Sequence, residues 1–168
     1  MTPQISLLSN PDSPITITFS PTNSAMEPKI VVLVDEDRAN CHALKARMDA
    51  AATAAGLLTK TAAKSGEFEV LNRIAVEELE AWYFGDVEAL TAAFPRVPPT
   101  LGAKAAFRHP DAITGGTWEA FERVLQRAGY YSGGLPKIEV ARKMALHMEA
   151  HRNTSPSFRQ FVQGIGSI

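Results

Sequence analysis

The chain has 168 residues, 45% of them apolar and 21% charged, which is long enough for a proper core and ordinary for a globular protein in water. It contains no apolar run long enough for a membrane span and no basic segment leading into an apolar one near its start, as a secretory signal would have, so the cytoplasm is the expected location. A lone cysteine, Cys41, excludes an internal disulfide and a thiolate zinc site.

Residues 1–28 form a variable N-terminal segment, polar and interrupted by prolines. Within it Pro14–Ser20 alternates as a short strand does. Met26 reads equally as an internal start, because the strong pattern begins just after it. From Lys29 onward the pattern predicts one domain, residues 29–168. The aliphatic run Ile30–Val34 suits a strand buried on both faces, as in a parallel sheet covered by helices. It stops at Asp35-Glu36-Asp37, and a helix pattern follows over Asp37–Ala55. Cys41, Leu44, Met48 and Ala55 form that helix's apolar stripe, with Gly56 after it. Cys41 on the stripe is expected to be a buried, inert thiol.

Phe68–Val76 is the next predicted strand. Strand, helix and strand of these lengths imply a right-handed crossover, with the second strand parallel to the first. It leads into Glu77-Glu78-Leu79-Glu80, where a helix starting near Glu77 would place Glu77 and Glu80 on one face. Trp82, Tyr83 and Phe84 read as core, and Asp86–Phe94 as another short helix. Thr100–Gly116 is loop-like. A helix capped by Thr117 then buries Trp118, Phe121, Val124 and Leu125, and Gly129 ends it. Tyr130–Gly134 is a turn with aromatic rings available at the surface. Ile138–Met148 is a helix with Ile138, Ala141, Ala145 and Met148 as its stripe, and Ser157–Val162 is a terminal helix.

Net charge is −1, yet residues 1–95 carry 7 Lys and Arg against 13 Asp and Glu, while residues 96–168 carry 10 against 5. A basic half beside an acidic turn suits a protein that handles phosphodiesters, although solvated helix faces produce the same asymmetry. In open α/β sheets, chemistry collects at the carboxyl ends of strands. Asp35 and Asp37, spaced i, i+2 on an extended stretch, would point the same way and share one divalent cation such as Mg²⁺ or Mn²⁺. The plainer alternative is that Asp37 is the N-cap of the following helix. Glu77 and Glu80 are candidates for general acid–base work, and Lys104, Arg108 and Lys137 for phosphate contacts. A phosphate loop of the Gly-Lys-Ser type and a nucleophile elbow are both absent from the sequence.

Four segments, Val34–Cys41, Asn72–Trp82, Gly133–Lys137 and Asn153–Phe158, together resemble a bacterial family with a Toprim-like fold, known only as a numbered domain of unknown function, DUF4276. The resemblance covers about Lys29 to the C-terminus. It implies an α/β fold with a small parallel sheet flanked by helices and a mainly helical C-terminal half. By analogy with Toprim nucleases, topoisomerases and primases, it further implies a Mg²⁺ site at Asp35 and Asp37, action on nucleic acid, and work beside an ATPase partner in defence against phage or plasmids. Toprim domains carry a glutamate after their first strand, usually in a Glu-Gly pair. Residues 1–28 hold no such pair, and their one glutamate is Glu27. Two readings therefore stand: a metal-dependent nuclease-like protein with Glu77 or Glu80 as substitute, or a non-catalytic interaction subunit. In the second, a lost strand would leave a sheet edge for a homodimer to cover.

Overall fold

The computed structural model describes residues 29–37, 39–64 and 66–168, together with the backbone of residues 15–18. The strands are β1 (Ile15–Thr18), β2 (Ile30–Asp35) and β3 (Val70–Ala75). The helices are α1 (Cys41–Ala54), α2 (Glu80–Gly85), α3 (Val87–Ala93), α4 (Thr117–Arg127), α5 (Lys137–Ala145) and α6 (Pro156–Ile165), with three short 3₁₀ turns between Leu101 and Ala112. The fold is α/β, a small sheet with a parallel strand pair accompanied by helices. The chain divides into two compact units, residues 1–74 with 163–168 and residues 75–162.

In the first unit the sheet order is β1-β2-β3. β1 runs antiparallel to β2, with Ile15 opposite Leu33 and Thr18 opposite Ile30. The alternating stretch expected to be a short strand is one, and it occupies the β2 edge that a missing strand would have left open. The argument for a homodimer across that edge loses its basis. β3 lies on the other side of β2, in the parallel sense expected of a strand–helix–strand unit. Val31 and Leu33 are buried from β2, and Val70 and Leu71 from β3. Phe68 precedes β3 instead of lying within it, yet its ring is buried, with the Lys29 and Lys60 ammonium groups 5.1 and 5.0 Å from its centre.

α1 begins at Cys41, four residues later than the periodicity predicts, because Asp37 adopts a positive φ of 47° that no helix accepts. No α1 residue is fully buried, and the Cys41 thiol is half-buried instead of lying in the core.

The second unit holds the larger core. Phe84, Leu90, Phe94, Val97, Phe121, Leu125, Val140 and Met144 are its largest fully buried apolar side chains. The expected Trp82-Tyr83-Phe84 core cluster is α2, all six residues of which are buried. α4 presents the predicted stripe, with Phe121, Val124 and Leu125 inward and Trp118 half-buried. The helix predicted at Ile138–Met148 forms as α5, but its buried residues are Val140 and Met144, whereas Ile138 is 54% exposed. No helix among the described residues is long and apolar enough to cross a membrane.

Candidate functional site

The acidic turn after β2 has a clear division of labour. Asn40 is the N-cap of α1, its side chain accepting from the Ala43 amide at 3.0 Å. Glu36 adds to it, accepting from the Cys41 amide at 3.0 Å through its carboxylate and from the Ala39 amide at 2.8 Å through its carbonyl. Asp37 is therefore not the helix cap. Asp35 and Asp37 are both exposed, at the carboxyl end of a strand in a parallel pair. The expected reason for their sharing a side is altered, however. β2 ends at Asp35 and Asp37 turns left-handed, so strand alternation does not extend to Asp37. Aspartate tolerates that conformation better than most residues. Among the described residues, no three His, Cys, Asp or Glu side chains form a group fit for a metal ion. The turn thus presents two exposed carboxylates, Asp35 with an interaction of its own, and no third ligand beside them among the described residues. It does not suit an ion that demands a full cage of protein ligands.

Behind the turn, the same unit contains a polar cluster that the pattern of apolar residues did not expose. Lys45 on α1 donates to both oxygens of Asp49 at 2.7 Å and to the Thr61 hydroxyl at 2.8 Å. Asn72, buried within β3, donates to Asp49 at 2.8 Å. Burial works to raise the Asp49 carboxyl, but the hydrogen bonds from Lys45 and Asn72 outweigh it and hold it below its ordinary value. Arg73 is half-buried, and that burial pulls its guanidinium down from its usual range while Asp49 opposes the shift. The visible signal was Asn72-Arg73 inside an apolar strand, since a buried polar pair demands partners.

The remaining candidates lie in the second unit. Glu77 has a φ of 61° and precedes α2, so the expected helical face shared by Glu77 and Glu80 does not form. Glu80 is buried in the first turn of α2. Between them, Glu78 accepts from the Trp118 amide at 2.6 Å and the Thr117 hydroxyl at 2.9 Å. A carboxylate from a distant segment closes the α4 N-terminus, and Thr117 serves as the first helical residue instead of the expected cap.

The Asn153–Phe158 motif is a staple. Asn153 donates to the Trp82 carbonyl at 2.8 Å and accepts from the Ser155 amide at 2.9 Å. The Thr154 amide donates to the Gly85 carbonyl at 2.8 Å, and the Trp82 indole to the Ser157 hydroxyl at 2.8 Å. Asp111 closes the start of α6, accepting from the Ser157 amide at 2.7 Å and the Ser155 hydroxyl at 2.5 Å. Asp86 does the same for α3, accepting from Ala89 at 3.0 Å, and also takes the Glu149 amide and the Arg152 guanidinium. These residues build the helical unit.

Of the predicted phosphate contacts, Arg108 lines an open hollow of about 500 Å³ whose wall includes Phe84, Phe107, Glu88 and the Asp86–Arg152 pair. Its guanidinium reaches the Ala103 carbonyl at 3.3 Å. Lys104 is exposed between two 3₁₀ turns. Lys137 opens α5, with its ammonium 4.1 Å from the centre of the Trp118 ring.

Fold and turn together define an α/β protein with an acidic turn at the carboxyl end of a parallel strand. A family model described as a domain of unknown function (DUF4276) matches residues 6–166, and the chain belongs to that family. The match begins well before Lys29 and takes in β1. No curated protein and no solved structure gives a significant match.

Proposed function

We propose that the chain is a Mg²⁺-dependent phosphodiester-handling protein of the nuclease type, with Asp35 and Asp37 as the metal-holding pair. The observation that carries the reading is the division of labour after β2. Asn40 and Glu36 satisfy the α1 N-terminus, so the exposed Asp37 carboxylate is not explained by capping. Asp35, which has an interaction of its own, and Asp37 are two exposed acids where parallel sheets place their chemistry. When bound, Mg²⁺ supplies an activated water and neutralises charge on the phosphoryl oxygens. Asp35 and Asp37 fix the cation's position. In the second unit, Arg108 in its hollow and the exposed Lys104 suit phosphate oxygens, and Lys137 offers a further ammonium group. The Toprim resemblance supports nucleic acid as substrate and an ATPase partner as company in phage or plasmid defence.

The test is hydrolysis of labelled single- and double-stranded DNA and RNA in Mg²⁺ or Mn²⁺. Asp35→Asn/Asp37→Asn is compared with the parent, and Glu77→Gln and Glu80→Gln serve as companion variants. Metal-dependent cleavage lost in the double variant supports the reading. A parent without cleavage, alone or with its ATPase partner, overturns the nuclease assignment.

A further inference from the structure

We infer that the second unit carries a contact surface for single-stranded nucleic acid, centred on Arg96, Tyr130, Tyr131 and Lys143. Sequence separates Arg96 and Lys143 from the Tyr130-Tyr131 pair, but the fold gathers them around Phe94. The Arg96 guanidinium lies 4.0 Å from the centre of the Tyr130 ring and donates to the Gly129 carbonyl at 2.7 Å. Tyr130 meets Phe94 edge-on at 5.2 Å, and Tyr131 meets it at 6.1 Å. Lys143 donates to the Tyr131 hydroxyl at 2.9 Å, with its ammonium 5.4 Å from the Tyr131 ring centre and 5.8 Å from that of Phe94. Two exposed cations thus alternate with two half-buried rings that pack against the core.

Backbone conformation argues that this alternation is more than packing. Tyr131 has a φ of 51°, a conformation costly for a bulky residue, although glycines stand nearby at 129, 133 and 134. Its ring is held in that strained position by Lys143 and by a hydrogen bond to Glu139 at 2.9 Å. Strain of this kind collects at ligand-holding sites.

Charge placement argues the same way. Residues 94–143 carry 8 Lys and Arg against 4 Asp and Glu, and the Lys143–Glu139 pair takes one from each side, leaving 7 against 3. Within the unit, Glu78, Asp86 and Asp111 accept hydrogen bonds that close helix starts; Arg96 and Lys143 are exposed, as are the acids Glu88, Glu119 and Glu149. Cations that follow a phosphate backbone, interleaved with rings that stack on bases, are what a single strand selects. A guanidinium lying over a ring also offers its outer plane to a base. An acidic peptide would use the cations and gain nothing from the rings.

This inference deepens the reading above by naming the polymer's form, and its test runs without metal, so the two fail separately. Fluorescence anisotropy in EDTA measures binding of a labelled oligothymidylate of about twenty nucleotides, the matched duplex, and the oligothymidylate with polyglutamate as competitor. The expected result is binding of the single strand, about tenfold weaker binding of the duplex, and no competition by polyglutamate. Arg96→Lys, which keeps charge but loses the planar stack, and Tyr131→Asn, which tolerates the left-handed backbone, each weaken binding about tenfold. Thermal midpoints show whether each variant is folded. Should Tyr131→Asn unfold, Arg96→Lys decides alone. Absence of binding, equal binding of the duplex, competition by polyglutamate, or a folded Arg96→Lys that binds like the parent would overturn the inference.

Discussion

A side chain on Gly85 would meet Asn153: a Cβ built there stands 2.1 Å from the Asn153 Oδ1 and 3.0 Å from the Ser155 amide nitrogen. The Asn153 side chain is itself committed, to the Trp82 carbonyl and the Ser155 amide, so it has nowhere to retreat. Gly85→Ala is expected to destabilise the protein by about 2–4 kcal/mol, the scale of overpacking combined with a broken buried hydrogen bond. Urea denaturation followed by tryptophan fluorescence is the measurement, because Trp82 donates to Ser157 within the same staple.

Asp86 should be among the least replaceable acids of the second unit. Its side chain is 1% exposed and joins α3, the Glu149 amide and Arg152. Asp86→Ala leaves the α3 start and the Glu149 amide without their acceptor and removes one partner of the Arg152 guanidinium, which keeps the His147 carbonyl and Glu88, at a cost of about 2–3 kcal/mol. Asp86→Asn, which keeps the shape, is expected to lose less. Chemical denaturation of the two variants in parallel checks that order.

Glu78→Ala removes the acceptor that closes α4 from a distant segment. The expected loss is about 1 kcal/mol. Hydrogen exchange should quicken first at the α4 amides near Trp118, and unchanged protection there would contradict the role assigned to Glu78.

The Asp49 cluster sets a pH dependence. Because the folded carboxyl is held below its ordinary value, the ionised form is favoured by folding. Its contribution is complete above the ordinary carboxylate range and disappears as pH falls below about 4. Thermal midpoints measured down to acid pH should fall less steeply in Asp49→Asn, which has no proton to take up there.

How much of this was legible in the sequence depended on distance along the chain. β2, the parallel return of β3 and the α4 stripe of Phe121, Val124 and Leu125 formed as read, but β2 is not buried on both faces: Val31 and Leu33 are buried and alternate with half-buried Ile30, Val32 and Val34. Periodicity failed on α5, because Ala141 and Met148 belong to both possible stripes and cannot choose between Ile138 and Val140 as their neighbour. It failed again where caps come from afar. Nothing near Thr117 announces Glu78, and nothing near Ser157 announces Asp111. At the candidate metal turn, the acids were readable as a cluster, but their separation into one helix-closing residue and two exposed ones was not. That separation depends on the left-handed Asp37, which postpones α1 to Cys41 and passes the cap to Asn40.

The measurement that bears most directly on the proposed function is calorimetric titration of Mg²⁺ and Mn²⁺ into the parent and into Asp35→Asn/Asp37→Asn. Saturable binding in the parent and its loss in a double variant of unchanged thermal midpoint is the predicted result. A parent that binds neither cation, or a double variant that binds as the parent does, would contradict the account.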